Sequence, residues 1–178
     1  MDTRIWVLTS VNYAKLLGEF AERFEKYWGA PFNVYVSNTD LQHWSDGVIH
    51  FLRDMVHEHF VLLHEDFYLD APVRHDLIEK LWNMRHGYDR ISLLGNHTPK
   101  RTVRNGEFYV HKPEGEDQFS FEASIQRRQF LLDNLRPGLD PWESERIVAK
   151  TAKGRILSSE HPAIWYMDKS RGGVAQEI

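Results

Sequence analysis

Two spacings of apolar residues alternate along the chain. Ile5, Trp6, Val7 and Leu8 form an unbroken run of strand length, followed by Thr9, Ser10 and Asn12. From Tyr13 the period changes. Tyr13, Leu16, Leu17, Phe20, Phe24, Tyr27 and Trp28 recur at helical spacing, with Lys15, Glu19, Glu22, Arg23 and Glu25 opposite. This predicts a helix capped by Ser10 and stopped by Gly29 and Pro31. Residues 32–37 return to a strand pattern and end in the polar turn Ser37-Asn38-Thr39-Asp40. A second helix is expected over 48–56. Phe60, Val61, Leu62 and Leu63 then form a buried strand that runs into His64, Glu65 and Asp66. Pro72 can open a third helix, with the stripe Val73, Leu77, Ile78, Leu81 and Trp82, and residues 90–94 read as another strand. Alternating strands and helices predict an α/β fold with a mostly parallel, Rossmann-like sheet flanked by helices.

The second half is less regular. Residues 96–118 are polar and loop-rich, with a hairpin expected at Asn105-Gly106. Residues 123–135 read as a helix, and Arg136-Pro137-Gly138 as a turn. Asp140-Pro141-Trp142-Glu143 is a strong helix start, with Asp at the N-cap, Pro in the first turn and Glu at the third position. That helix should end at Gly154, before a short strand over 155–157. The tail over 168–178 is polar and Gly-rich, and is expected to be mobile.

Composition narrows the chemistry. The 178 residues show no repeat and no linker, so a single compact domain is expected. The absence of cysteine excludes a disulfide scaffold, a thiol nucleophile and any thiolate-held metal. A net charge of -4 gives no global pull towards nucleic acid or anionic membrane. The N-terminus lacks a signal-peptide pattern, and no run approaches the roughly 20 apolar residues of a membrane span. A cytoplasmic location is therefore expected (the host cytoplasm for a viral protein). Walker A, G-x-G-x-x-G and G-x-S-x-G motifs are all missing. His57, His59 and His64 do not have zinc-site spacing.

Three groups of residues could carry chemistry. Glu65 and Asp66 follow a buried strand, where open parallel sheets bind ligands. Adjacent carboxylates there suit a hard cation such as Mg²⁺ or Mn²⁺, though acidic residues also simply follow strands in loops. The apolar continuation Phe67-Tyr68-Leu69 favours function, because an unpaired charge inside such a segment is costly. Glu143 and Glu145 open a helix. A carboxylate there could act as a general base, but capping and the helix dipole explain both without chemistry. Lys100, Arg101 and Arg104 form one basic patch and Arg127-Arg128 another. Either could grip phosphate or a nucleic-acid acceptor, or be a solvated surface. Lys169 and Arg171 in the tail could clamp a diphosphate.

Taken in order, several segments resemble a known family. They are Thr9-Ser10-Val11-Asn12-Tyr13, Phe24-Glu25-Lys26-Tyr27-Trp28 and Leu62-Leu63-His64-Glu65-Asp66-Phe67-Tyr68-Leu69 with Pro72-Val73. Leu131-Leu132-Asp133-Asn134-Leu135-Arg136-Pro137-Gly138 follows, and then Pro141-Trp142-Glu143-Ser144-Glu145. The chain is similar to small GT-A-type, family-2-like glycosyltransferase-like proteins of bacterial polysaccharide loci and viruses, from about Trp6 to Gly172. The resemblance implies a nucleotide-sugar donor such as a UDP-sugar, and a Mn²⁺ or Mg²⁺ cofactor. It also implies inverting transfer to an acceptor hydroxyl, on a glycan or on a hydroxylated base in viral DNA. It places His64-Glu65-Asp66 where such enzymes carry Asp-x-Asp, with His64 departing from the pattern. Asp66, with Glu65, would hold the metal, and Thr9, Ser10, Asn12, Asp40, His64 and Glu65 would face the donor. Glu143 would be the base and Glu145 the second acid. Lys169 and Arg171 would secure the diphosphate. Lys100, Arg101, Arg104, Arg127 and Trp142 would lie on the acceptor side. The alternatives are a non-catalytic nucleotide-sugar binding module and a metal-dependent phosphohydrolase.

Overall fold

The apolar runs of the first half lie in the sheet interior, where both faces are covered. β1 (Ile5–Ser10) pairs in parallel with β2 (Asn33–Ser37) on one side and β3 (His59–His64) on the other. The later strands are β4 (Phe67–Leu69), β5 (Arg90–Ser92), β6 (Thr102–Asn105), β7 (Phe108–His111), β8 (Ser124–Arg127), β9 (Ile156–Ser159) and β10 (Tyr166–Asp168). The structure, a computed structural model, describes residues 4–95, 102–111, 119–151 and 154–168. Among these residues an eight-stranded sheet has the order β2-β1-β3-β8-β5-β9-β7-β6. β1, β2, β3, β5, β6 and β9 run one way, and β7 and β8 run against them. The sheet is thus mostly parallel in direction but mixed in pairing. β4 and β10 form a separate antiparallel ribbon.

Strand alternation sends successive side chains to two cores. Val7, Val61, Leu63, Ile91, Ile125 and Leu157 pack with α1 (Leu17–Tyr27) and α3 (His75–Met84) through Phe20, Phe24, Leu77 and Leu81. Leu8, Phe60, Leu62 and Ile156 pack on the other face with α2 (Trp44–Asp54), α4 (Arg128–Asn134) and α5 (Pro141–Thr151). Phe51, Leu52, Leu131 and Val148 are their partners. Each such side chain contributes roughly 1.5–3 kcal/mol by leaving water.

Three expectations from sequence change. The stretch 123–135 is not one helix: its first part is β8, which inserts antiparallel between β3 and β5, and only α4 is helical. Ala123 and Ile125 alternate at strand spacing, and both are buried. The first helix opens through a 3₁₀ turn, Ala14–Leu16, whose N-cap is Tyr13 without a side-chain cap bond, so Ser10 does not cap it. The third helix begins at His75 rather than at Pro72. The Asn105-Gly106 hairpin forms as expected, joining β6 to β7.

One close approach matters for the site. The turn after β2 is tied by Ser37 Oγ and Thr39 Oγ1 at 2.6 Å, and Gly47 of α2 lies directly against both hydroxyls. A Cβ at Gly47 would push this turn, and Asp40 with it, away from α2. Gly47→Ala should destabilise the fold by about 1–3 kcal/mol through overpacking, despite the gain in helix propensity. Urea unfolding of the variant measures this, and an unchanged midpoint would refute it.

Candidate functional site

β1 and β3 end side by side, with Leu8 opposite His64. β1 continues through Thr9 and Ser10, and β3 gives way to the turn Glu65-Asp66. A cleft of about 510 Å³ opens at these carboxyl ends. Thr9, Ser10, Asp40, His64, Glu65 and Asp66 line one side. Ser120, Phe121 and Glu122, with Trp142 and Glu145 of α5, line the other. This is where an open α/β sheet offers its strand ends to a ligand.

α5 is brought to the cleft by the turn before it. Gly138 takes the left-handed conformation (φ 77°), and its N–H donates to Asp46 Oδ2 at 3.1 Å. The Leu139 N–H donates to Ser45 Oγ at 2.9 Å, and the Ser45 N–H donates back to the Leu139 carbonyl at 3.0 Å. The turn is therefore stitched to the start of α2. Asp140 caps α5, its Oδ1 accepting the Glu143 N–H at 2.7 Å. Ser144 and Val148 face the core, and Glu145 lines the cleft. Two residues along a helix turn the side chain by roughly 200°. Glu143 accordingly stands outside the cleft lining, with its carboxylate 3.8 Å from Arg146.

Phe121 holds the two walls together. Its N–H donates to Glu145 Oε1 at 2.6 Å, and its carbonyl accepts from His64 Nε2 at 3.1 Å. A carbonyl can only accept, so the His64 proton sits on Nε2. The Phe121 ring packs edge-on to Trp44 at 4.7 Å.

The acid groups differ in state. Glu65 is only 7% exposed, and burial pushes its carboxyl up to about 7. Asp66 adds to the rise, while its own backbone N–H and the Thr9 hydroxyl oppose it. Burial also lowers the His64 imidazole below its usual value, against the opposing pull of Asp66, so the ring is neutral at pH 7. Asp40 is held below the usual carboxylate range by hydrogen bonds from the His43 side chain and backbone.

The expected residues separate by place. Thr9, Ser10, Asp40, His64, Glu65, Asp66, Trp142 and Glu145 come together in the cleft; Asn12 is exposed beside it and does not line it. Arg127 pairs with His59 at the start of β3, the end of the strand away from His64. It is held there by Glu58 at 2.9 Å and Asp89 at 3.1 Å. Arg104 sits on β6, the sheet edge opposite β2. Lys100, Arg101, Lys169 and Arg171 lie outside the described residues, as do parts of the loop 96–118 and nearly all of the tail. Sequence reasoning missed Ser120, Phe121 and Glu122. Their signal was the alternation Phe119-Ser120-Phe121-Glu122, in which both aromatics are buried.

Among the described residues, no three His, Asp or Glu side chains gather to hold a metal ion. Glu65 fits a metal poorly, being buried and beside Thr9, and His64 spends Nε2 on Phe121. Asp66 lines the cleft and supplies an oxygen donor. One carboxylate with substrate phosphate oxygens is a common Mg²⁺ environment, so the site fits a cation bound together with a diphosphate. No described lining residue is Lys or Arg, which makes a cation the natural counter-charge.

Known proteins enter through the fold alone. No family model matches the chain, and no curated protein matches it in sequence. Solved structures do. S. aureus TarS 1–349 in complex with UDP-GlcNAc superposes with a TM-score of 0.54 at 13% identity, covering 91% of this chain and 57% of that one. A second TarS 1–349 structure gives 0.54 at 14% identity, covering 91% of this chain and 59% of that one. A UDP-glucose pyrophosphorylase complexed with UDP-glucose gives 0.50 at 13% identity, covering 93% of this chain and 75% of that one. The chain thus spans 59% of the length of TarS 1–349. It has a GT-A-like α/β fold. No helix among the described residues is long and apolar enough to cross a membrane.

The raised Glu65 makes stability depend on pH. The folded state prefers the protonated acid, so its contribution is full below the unfolded value near 4.5 and is lost as pH rises through about 7. Glu65→Gln should match the wild type near pH 4.5 and exceed it at pH 8 by at most about 3 kcal/mol. Thermal unfolding in metal-free buffer at both pH values decides this; equal curvature in the two proteins would count against it.

Proposed function

We propose that the cleft binds a nucleoside diphosphate sugar and transfers the sugar to an acceptor hydroxyl. The observation that carries this reading is the pairing of two walls across the strand ends. Thr9, Ser10, Asp40 and Asp66 stand on one side and Glu145 on the other. The GT-A-like fold, shared with proteins solved with UDP-GlcNAc and UDP-glucose, supports it.

In this reading Thr9, Ser10 and Asp40 hold the nucleoside, at the ends of β1 and β2. Asp66 faces the diphosphate, and a divalent ion bound there would offset charge growing on the leaving group. Lys169 and Arg171 are proposed to close on the same diphosphate. Glu145 accepts the proton of the acceptor hydroxyl as its oxygen attacks the anomeric carbon. The bond from that carbon to the diphosphate oxygen breaks on the opposite side, and the configuration inverts. The base role moves to Glu145 from Glu143, whose side chain lies outside the cleft lining.

A glycan acceptor fits better than DNA. Asp40, Glu65, Asp66, Glu122 and Glu145 line the cleft with no described Lys or Arg, which disfavours a polyanion. Arg127, the described basic side chain expected on the acceptor side, is at the far end of the sheet. Trp142 is 62% exposed at the rim and offers an apolar face to a sugar ring.

The test is release of nucleoside diphosphate from UDP-sugars with Mn²⁺, with and without oligosaccharide acceptors. Glu145→Gln should slow transfer roughly a hundredfold or more, while Glu143→Gln changes it only a few-fold. Asp66→Asn should weaken Mn²⁺-dependent donor binding. Full activity in both Glu145→Gln and Asp66→Asn would refute the assignment. Tight donor binding with no turnover would point to a binding module instead.

A further inference from the structure

The sheet face beneath α2, α4 and α5 is apolar over β1 and β3 but polar over β8 and β5, and over β9 it carries Ser158 beside the apolar Ile156. Ser124 pairs with Ser92, and Ser92 with Ser158; Gln126 pairs with Arg90. All five side chains are buried, and Arg90 is only 4% exposed. A buried guanidinium is costly unless anions and hydrogen bonds compensate it.

The compensation leads to the cleft. Arg90 Nη2 donates to Ser120 Oγ at 2.9 Å, and the Ser120 hydroxyl donates to Glu122 Oε2 at 3.0 Å. From the other side, Gln126 Nε2 donates to Ser124 Oγ at 2.8 Å, and that hydroxyl donates to the Glu122 carbonyl at 2.6 Å. Glu122 is thus fixed through both its side chain and its backbone. The charges that compensate Arg90 are the carboxylates of Glu122 and Glu145, and both line the cleft. Arg90 Nε and Gln126 Oε1, on paired positions, have no hydrogen-bond partner among the described residues.

We infer that Arg90 is a positioning residue. Lying beneath the cleft wall, it fixes the Ser120–Glu122 segment and keeps Glu145 ionised as the acceptor base. The inference rests on the transferase reading for the word base; the hold on Glu145 is separate from it. Two half-buried carboxylates on one wall repel each other, which favours proton uptake by one of them unless a cation is close. Arg90 supplies that cation from β5; burial lowers its guanidinium from the ordinary value, and the Glu122 and Glu145 carboxylates oppose that fall. The other charged groups near Glu145 are Glu122 before β8, Glu143 and Arg146 on α5 itself, and Asp40, His64, Glu65 and Asp66 lining the same cleft.

The experiment is a carboxyl titration by ¹³C NMR on glutamate-labelled protein, with the Glu145 signal assigned by its loss in Glu145→Gln. Arg90→Gln should raise the Glu145 midpoint by about one pH unit or more. Arg90→Lys, which keeps the charge, should leave it near the wild-type value. Defects of packing alone would leave both midpoints where they were, and that result overturns the inference. Should Arg90→Gln fail to fold, the wild-type protein still decides. The Arg90 side-chain ¹⁵N resonance should shift through the Glu145 midpoint and lose that step in Glu145→Gln; a resonance that ignores the Glu145 titration overturns the proposal. In transfer assays, the acid limb of the pH–rate profile should move upward with Arg90→Gln. A shifted titration in a wild-type protein that transfers no sugar would refute the transferase reading and leave the Arg90–Glu145 coupling standing.

Discussion

The site depends on one gripped peptide. Phe121 gives its N–H to Glu145 and its carbonyl to His64, and these two side chains come from elements far apart in the chain. A buried backbone group left without a partner costs about 1–3 kcal/mol, so Phe121 has a strong reason to lie where both are available. Its position then sets the width of the cleft. His64 sits at the end of β3, next to Asp66, and Glu145 on the inner face of α5. The distance between the His64 wall and the Glu145 wall is a consequence of that shared residue.

Charge is the second constraint. The cleft concentrates carboxylates, and the protein handles them one at a time. Glu65 is buried with its carboxyl pushed up to about 7, Asp40 is held ionised by His43, and Glu122 and Glu145 share a buried arginine. Asp66 lines the cleft and, in the proposed reading, faces a cation carried in with a diphosphate. On the proposed reading, the same distribution favours a neutral, hydroxyl-rich acceptor over a polyanion.

Much of the architecture was legible in the chain. The runs Ile5–Leu8 and Phe60–Leu63 are too apolar and too short to be anything but buried strands, and the stripe from Leu16 to Trp28 has one period. The placement of His64, Glu65 and Asp66 followed, because a ligand site lies where such a strand ends. β8 was not legible. Four residues with Ser124 and Gln126 facing inward do not read as a strand, and their burial depends on Arg90 and Ser92 across the sheet. Reading 123–135 as one helix hid the polar face beneath the cleft and, with it, Arg90 and Glu122.

The choice between Glu143 and Glu145 marks the boundary most clearly. Local rules determined that a helix starts at Asp140, because the cap, the proline and the first-turn acid act within a few residues. They also determined that the two glutamates point to opposite sides. Which side meets the cleft was decided by the stitching of Gly138 and Leu139 to α2, some ninety residues earlier in the chain. Short-range preferences fix what an element is. Its direction and charge environment come from contacts between residues distant in sequence, and only the folded sheet brings those together.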